Sequence, residues 1–234
     1  MQQSRSRLDR FLRSHANLNK HDIRRLLAQR RVQVDGNVTT DATHIIDHFS
    51  HIVLDGQTLQ SNTPYYVMLN KPTGVVSATK DDAHRTVVDL LDYAFRAELH
   101  IAGRLDLNSS GLLLLTNDSR WSRRLTDPQH KVAKRYRVRV ENPISEDYIQ
   151  AFAEGMYFSY EDIYTEPVKL TIIEPCVAEL TLVEGRYHQI KRMFGRFRNP
   201  VNALHRYAIG SISLDPTLHE GESRLLTEKE IHLS

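Results

Sequence analysis

Cysteine is nearly absent from this sequence of 234 residues, and long apolar runs are missing. The single cysteine, Cys176, has no partner for an internal disulfide, a usage that suits a reducing compartment. No stretch approaches the roughly 18 consecutive apolar residues of a membrane span, and the first residues, MQQSRSRLDRF, lack the apolar core of a signal peptide. We therefore expect a cytoplasmic protein that does not insert into a membrane.

Several ligand-binding motifs are missing as well. The sequence contains no GxxxxGK[ST] loop and no GxGxxG motif, so nothing in it favours a bound nucleotide cofactor. One cysteine cannot supply a cysteine-rich metal site, and the zinc-binding pattern HExxH does not occur. We predict neither a metal nor a cofactor.

Charge is unevenly distributed, although the formal net charge is only +2. Residues 1–31 carry nine lysines and arginines against two aspartates, whereas residues 32–60 carry four aspartates and no lysine or arginine. Such a distribution favours a polyanionic partner for the basic part of the chain. The composition, with 40% hydrophobic and 26% charged residues, is that of an ordinary globular protein.

The N-terminal segment predicts a small module of two helices and short strands. Apolar residues recur at helical spacing over 8–12 and 23–27, and Asn19 is a candidate N-cap for the second helix. Two β-rich runs, 32–38 and 52–59, each contain an Asp-Gly pair, which is a strong hairpin signal.

The chain is predicted to divide into a domain over 1–60, a polar linker over 61–64 and a larger domain over 65–234. In the larger domain strands often follow one another without an intervening helix, which predicts the α+β class. The predicted strands are 65–70, 99–102, 112–116, 131–140, 168–173, 177–183 and 208–214. The predicted helices are 86–95, 119–125, 144–155 and 186–197.

One carboxylate, Asp106 in GRLDLNSSGLLLLTND (103–118), stands just before a strand. The four leucines over 112–115 form a short apolar run between turn residues, which is typical of a fully buried strand. Asp106 then lies at the mouth of the core, where nearby cations favour its charged form and suit it to be a nucleophile at a sugar carbon. A salt bridge to Arg104, or a role in the turn, explains the position equally well. A glycosidic reaction needs a second acid; Asp118 is the obvious candidate, but its position before SRWSRRL favours a helix N-cap.

Two segments concentrate basic residues. In 131–140 the alternation places three arginines on one face of a strand, and 186–198 has five basic residues without an acid. Tyr136, Tyr187 and His188 lie within these segments, so rings that can stack on unpaired bases alternate with cations that can hold phosphates. A solvated face is the competing interpretation of the charges, and core packing is that of Tyr187. Together the segments favour a nucleic acid partner.

The sequence resembles the RsuA/RluB branch of the ribosomal RNA pseudouridine synthases in five motifs, which occur in the family's order. The family patterns are N-K-P-x-G, G-R-L-D with S/T-G-L-L-L-L-T-N-D, K-x-Y, G-R-Y-H-Q-[IV]-[KR] and L-x-R-x-x-[IL]-G. The matching segments are LNKPTG (69–74), GRLDLNSSGLLLLTND (103–118), KRYRV (134–138), EGRYHQIKRM (184–193) and LHRYAIG (204–210). Residues 5–60 resemble the small RNA-binding module called the S4 domain, so the resemblance covers essentially the whole chain.

The resemblance implies the pseudouridine synthase fold, a mostly antiparallel mixed sheet flanked by helices, and the isomerisation of a uridine in ribosomal RNA without metal or cofactor. It also implies that Asp106 is the nucleophile, that Tyr136 stacks on a flipped-out base and that Lys191 pairs with Asp106. The other residues expected to contact the substrate are Arg104, Lys71, Arg186, His188, Gln189 and Arg206. Those expected to hold RNA in the N-terminal domain are Arg7, Arg10, Lys20, Arg24, Arg25, Arg30 and Arg31.

Chain length and the segment WSRRLTDPQHK (121–131) favour a target in 16S RNA of the small subunit, with 23S RNA of the large subunit as the alternative. We expect a monomer that acts on an assembling small subunit. Two other classes stay open, a non-catalytic RNA-binding assembly factor and a hydrolase that uses Asp106 with another acid. The isomerase is favoured, because a mere binding protein does not need Asp106, Lys191 and Tyr136 together.

Overall fold

The computed structural model describes residues 5–232, and the chain forms two compact units, Met1–Pro64 and Tyr65–Ser234. We call them the N-terminal unit and the C-terminal unit. Each unit has its own hydrophobic core. Over the described range, no helix has the length and apolar character needed to cross a membrane.

Over its described residues, 5–64, the N-terminal unit consists of two helices and six short strands. The helices are α1 (Leu8–His15) and α2 (Lys20–Ala28). The strands are β1 (Ser6–Arg7), β2 (Val32–Val34), β3 (Asn37–Val38), β4 (Ile45–Ile46), β5 (Ile52–Leu54) and β6 (Gln57–Gln60). β1 pairs with β4, and the other four form an antiparallel sheet in the order β3-β2-β5-β6.

Local sequence explains these elements. The Asn19 side chain accepts the Asp22 N–H at 2.9 Å and caps α2. Both Asp-Gly pairs have positive φ angles, as a two-residue hairpin turn requires. The angles are 51° at Asp35 and 78° at Gly36, and 51° at Asp55 and 80° at Gly56. The apolar faces of both helices pack on the sheet in one cluster. The predicted helices and hairpins of this segment are confirmed.

The C-terminal unit is built on one large sheet. Its strands are β7 (Tyr66–Lys71), β8 (His100–Ala102), β9 (Ser110–Thr116), β10 (Lys134–Val140), β11 (Tyr157–Phe158), β12 (Ile163–Tyr164), β13 (Lys169–Glu174), β14 (Val177–Leu182), β15 (Val201–Ile209), β16 (Ile212–Ser213) and β17 (Ser223–Leu225). Its helices are α3 (Ser119–Thr126), α4 (Glu146–Glu154), α5 (Gln189–Gly195) and α6 (Glu228–His232).

The sheet has nine strands in the order β13-β14-β10-β15-β9-β7-β17, with β16 paired to β15 and β8 paired to β9. Within the described part of the unit, neighbouring strands of this sheet run antiparallel except β9 and β15. The predicted α+β class with a mostly antiparallel mixed sheet is confirmed.

The four leucines of β9 are buried on both faces of the sheet. Leu113 and Leu115 pack in one cluster, and Leu112 and Leu114 pack in another with Trp121 of α3. All four leucines have no exposed surface. Because alternate side chains of a strand point to opposite faces, a continuous apolar run is required here. The prediction of a fully buried strand is confirmed.

The helix predicted over 86–95 is wrong. Only a single 3-10 turn, Val88–Leu90, forms there. The Asp89 carboxylate accepts hydrogen bonds from both the N–H and the hydroxyl of Thr86, at 2.8 and 2.9 Å. This local alternative to helical bonding closes a turn in place of a longer helix.

The strand predicted over 208–214 is also wrong. β15 begins already at Val201, and Gly210, with a φ of 56°, turns the chain into β16. The first part of this strand escapes a sequence prediction because a buried arginine, Arg206, interrupts its apolar pattern.

Candidate active site

Asp106 lies in the loop between β8 and β9, and its side chain is about one third exposed, at 32%. The loop enters β9 at Gly111, whose φ is +103°. A Cβ atom at Gly111 would lie 2.2 Å from the carbonyl oxygen of Arg206 in β15, so only glycine allows these two strands to approach. This close approach fixes where the Asp106 loop ends.

Two cationic or potentially cationic groups face the Asp106 carboxylate. Lys191 Nζ in α5 and His188 Nε2 each lie 3.4 Å from Asp106 Oδ2. His188 precedes α5 with a left-handed backbone, φ 49°, which brings its ring to the same side as Lys191.

One cleft is lined by Asp106, Tyr136 and Lys191, although any two of these residues are at least 30 positions apart in the sequence. Five other walls of this cleft are Arg104, Ser109, Arg186, His188 and Gln189. The structure thus brings together the three residues that the sequence predicted as catalytic, on β10, α5 and the β8–β9 loop. A carboxylate, an ammonium group and an aromatic ring are thereby presented to one ligand.

Lys71, which was expected to contact the substrate, is buried and is not among the residues that line the cleft. It has no exposed surface, and its Nζ donates to the carbonyl oxygens of Pro72, Asp106 and Ser109 at 2.9, 3.1 and 2.8 Å. A fourth carbonyl, that of Leu107, lies at 3.4 Å. Burial lowers the pKa of Lys71 to about 8. The ammonium group holds the backbone of the Asp106 loop.

Arg206, also expected to contact the substrate, is likewise buried, with 1% of its surface exposed. Its guanidinium donates to the carbonyl oxygens of Leu112 and Gly103 at 2.9 and 2.8 Å. Its Nη1 also donates to the Tyr136 hydroxyl at 3.5 Å. Arg206 therefore ties β15 to the start of the catalytic loop and to the ring that faces the cleft.

A buried acid, Glu184, was missed by the sequence prediction. Its carboxylate accepts from Gln189 Nε2 at 2.6 Å and from Arg186 Nε at 2.8 Å. Gln189 lines the cleft, but its side chain is buried and its Oε1 accepts the Arg186 N–H at 3.2 Å. Arg186 and Arg104 keep exposed surface at the cleft. Glu184 is the first residue of the EGRYHQ segment, and this acid directly before a basic segment is the sequence feature from which its bonds to Arg186 and Gln189 could have been predicted.

The basic segments carry less free charge than the sequence suggested. Arg192 forms two 2.7 Å bonds to Glu161, and Arg137 pairs with Glu179 at 2.8 Å. Distant acids thus neutralise part of both segments. Tyr187 is 75% exposed, which excludes the interpretation of this ring as core packing.

Asp118 caps α3 and does not act as a second acid at the cleft. It accepts the N–H groups of Arg120 and Trp121 at 2.9 and 3.2 Å and the Tyr66 hydroxyl at 3.0 Å. The predicted N-cap is confirmed. No group of three or more His, Cys, Asp or Glu side chains within residues 5–232 is arranged to hold a metal ion.

The basic residues of the N-terminal unit fall into two sets. Three of the predicted RNA contacts form ion pairs, namely Arg7 with Asp9, Arg25 with Asp22 and Arg31 with Asp55. Three others, Arg10, Lys20 and Arg24, line a groove between α1 and α2, together with Arg13, which the sequence prediction omitted. Arg30 is exposed in the turn after α2. The groove thus brings four basic side chains together, and the ion-paired Arg7 and Asp9 also line it.

Comparisons with known proteins agree with this geometry. Residues 65–195 match the model of the RNA pseudouridylate synthase family. The ribosomal small subunit pseudouridine synthase A of Pseudomonas aeruginosa is 50% identical over 226 residues, covering 96% of this chain and 98% of that protein. The protein of the same name from Escherichia coli strain K12 is 42% identical over 226 residues, with coverage of 96% and 98%.

A crystal structure of a pseudouridylate synthase superposes with a TM-score of 0.71 at 38% identity, covering 97% of this chain and 98% of that one. The family match spans the strands and helix that carry Asp106, Tyr136 and Lys191. This chain belongs to the RNA pseudouridylate synthase family.

Proposed function

We propose that this protein converts one uridine of 16S ribosomal RNA in the small subunit to pseudouridine, with Asp106 as the nucleophile. The observation that carries the proposal is the position of the Asp106 carboxylate, 3.4 Å from Lys191 Nζ and in one cleft with Tyr136. The names of the relatives, which cover nearly the whole chain, support the small subunit as the target.

The reaction breaks the bond between uracil N1 and ribose C1′ and forms a bond between C5 and C1′. N1 gains a proton and C5 loses one, so atoms and electrons balance without a co-reactant. The uridine must first leave its stack, which costs a few kcal/mol. Stacking on the Tyr136 ring offsets part of this cost, and Lys191 and His188, each 3.4 Å from the Asp106 carboxylate, position it beside the entering ribose.

The N-terminal unit has a separate role in the proposal. Residues 1–60 act as an S4-like RNA-binding domain, 61–64 as a linker and 65–234 as the catalytic domain. The groove cations Arg10, Arg13, Lys20 and Arg24 support this assignment. If they neutralise about four phosphates, the logarithm of affinity falls with the logarithm of salt at a slope of about −3.

The slope can be tested by substitution. Arg10→Ala with Arg24→Ala is expected to halve it, whereas Arg31→Ala, whose charge is already paired with Asp55, serves as a matched control. An unchanged slope in the double variant would contradict an RNA-binding role for the groove.

We further propose that the protein acts as a monomer in the cytoplasm, on a small subunit that is still assembling. Flipping a nucleotide into the recessed cleft requires RNA that is not yet packed within a finished particle. Assays on free 16S RNA, on isolated small subunits and on 23S RNA distinguish the possible substrates.

The decisive experiment treats RNA from cells lacking the protein with carbodiimide and maps pseudouridine by reverse transcription. Wild-type protein is expected to restore one stop in 16S RNA. Asp106→Asn should bind RNA without restoring the stop, whereas Asp92→Asn, an exposed carboxylate outside the cleft, should restore it. If wild-type protein restored no reverse-transcription stop, the proposal would be overturned. A restored stop in 23S RNA would identify the large subunit as the target, and release of free uracil would indicate a hydrolase.

A further inference from the structure

Three tyrosines of the C-terminal unit are unusually exposed. Tyr160 is 94% exposed, Tyr187 75% and Tyr164 72%. Large aromatic side chains usually lie at least half inside a protein, because each removes much apolar surface from water. A group of exposed rings on an ordered surface therefore marks a binding surface.

Two of these rings belong to a hairpin, β11–β12, that is fastened to the catalytic helix α5. Arg192 of α5 holds Glu161 through two 2.7 Å bonds, and its guanidinium lies 3.6 Å from the centre of the Phe158 ring. Arg196 donates to the carbonyl oxygen of Tyr157. The hairpin is thus held in a fixed position relative to Lys191.

A series of contacts connects Asp106 with the tip of this hairpin. His188 lies 3.4 Å from Asp106 and stacks on Tyr187 with ring centres 3.9 Å apart. The Tyr187 carbonyl accepts from Arg192 at 3.4 Å, and the same guanidinium holds Glu161, the neighbour of Tyr160. Tyr187 is thus connected with Asp106 through His188, and Tyr160 adjoins the glutamate that Arg192 holds.

The surroundings of these rings are positively charged. Four arginines lie in or next to α5, namely Arg186, Arg192, Arg196 and Arg198. Of these four, Arg186 and Arg192 form ion pairs with carboxylates of the described residues, and the other two do not. Rings combined with uncompensated arginines suit unpaired nucleotides, whose bases stack while their phosphates meet the cations. A protein partner is disfavoured, because the surface continues directly from the cleft that the target nucleotide must enter.

We propose that Tyr187 and Tyr160 form a stacking surface for the unpaired nucleotides that flank the target uridine. The inference rests on the proposed function, since it assigns part of the substrate to a surface beside the site. It predicts that the enzyme selects single-stranded segments, and that the rings matter while their hydroxyl groups do not.

The test compares Tyr160→Ala/Tyr187→Ala with Tyr160→Phe/Tyr187→Phe, which keeps both rings. The probes are a labelled single-stranded oligouridylate of about 12 nucleotides and an RNA duplex of similar length. Stacking contributes about 1–3 kcal/mol per base, so the alanine variant should bind the oligouridylate at least about tenfold more weakly. The phenylalanine variant should stay within about twofold of wild type, and duplex binding should change little in either variant.

Turnover on free 16S RNA provides an independent readout. Tyr160→Ala removes a ring far from the reacting atoms, so KM should rise while kcat is kept. An alanine variant with unchanged affinity for the oligouridylate, or an equal loss with phenylalanine or on the duplex, would overturn the stacking surface. If the alanine variant lost affinity, the phenylalanine variant kept it, and the wild-type protein made no pseudouridine, only the proposed reaction would be overturned.

Discussion

Replacing Lys71 by methionine removes the charge that holds the Asp106 loop while keeping most of the side-chain volume. Four carbonyl oxygens, within 2.8–3.4 Å of Nζ, would lose their donor in a site without exposed surface. A hydrogen bond from a charged donor is worth about 1.5–3 kcal/mol, but the loop relaxes and the ammonium no longer has to be desolvated. We therefore expect the free energy of unfolding to fall by about 3 kcal/mol.

In a unit of this size, such a loss lowers the melting temperature by about 6–12 °C. The activity should fall by more than the loss of folded protein alone explains. A displacement of about 1 Å in a catalytic group can cost about a hundredfold in rate, so kcat should drop at least about tenfold well below the melting temperature. Scanning calorimetry and single-turnover pseudouridine formation measure the two effects separately.

Lys134→Met is the matched control. Burial also lowers the pKa of Lys134, but its Nζ donates to only one carbonyl, that of Val132 at 3.1 Å. The expected loss is about 1 kcal/mol. If both variants shifted the melting temperature equally, or if Lys71→Met kept full activity, the proposed role of Lys71 in holding the loop would be refuted.

The same lysine predicts a pH dependence. Because the pKa of Lys71 is lowered from 10.5 to about 8, the ammonium form, whose three N–H groups match the three carbonyls within 3.1 Å, persists only below that pH. A neutral amine carries two N–H bonds and leaves one of these carbonyls without a donor. Activity should therefore decline reversibly as the pH rises through about 8, which a pH–rate profile of the wild-type protein measures.

Two further predictions concern stability. Gly111→Ala would push a Cβ to 2.2 Å from a carbonyl oxygen of the neighbouring strand at a φ of +103°, so we expect a loss of more than about 3 kcal/mol by calorimetry. Gly185→Ala, which meets nothing within 4 Å, should change little, and an equal loss would refute the steric argument. Arg224 pairs with Asp215 at 2.7 Å and with Glu230 at 2.8 Å. Hydrogen bonds from Thr217 and then from Arg224 lower the pKa of Asp215 to about 2, and the bond from Arg224 lowers that of Glu230 to about 2. Because their folded pKa values lie below the unfolded ones, the stabilisation is present above about pH 4.5 and disappears as the pH falls toward 2. In Arg224→Gln, the share of this pH-dependent stabilisation that comes from Arg224 should be lost. If the free energy of unfolding fell with acid as steeply as in the wild type, the role of these ion pairs would be contradicted.

The parts of the fold that were predicted correctly depend on neighbours in sequence. The Asn19 cap, the Asp-Gly hairpins and the Asp118 cap each involve bonds within a few residues. The leucines over 112–115 were readable because a strand covered on both faces must be apolar throughout. The helix wrongly predicted over 86–95 had suitable apolar spacing, but a side-chain turn took its place.

The candidate site was predicted only in part. The motifs located Asp106, Tyr136 and Lys191, and the structure places all three in one cleft. They could not reveal that Lys71 and Arg206 face inward, since both look like accessible cations in a sequence.

By itself, the sequence determined the local elements, the buried strand before which Asp106 stands and the motifs that indicate the family. Only the tertiary structure decided which cations remain available to a ligand. A lysine or arginine is buried when carbonyl oxygens from remote segments converge on it, as those of 106–109 do on Lys71 and those of 103–104 do on Arg206. Such convergence is a property of the folded backbone, because the neighbouring Pro72 carbonyl alone replaces only part of the water that the Lys71 ammonium loses.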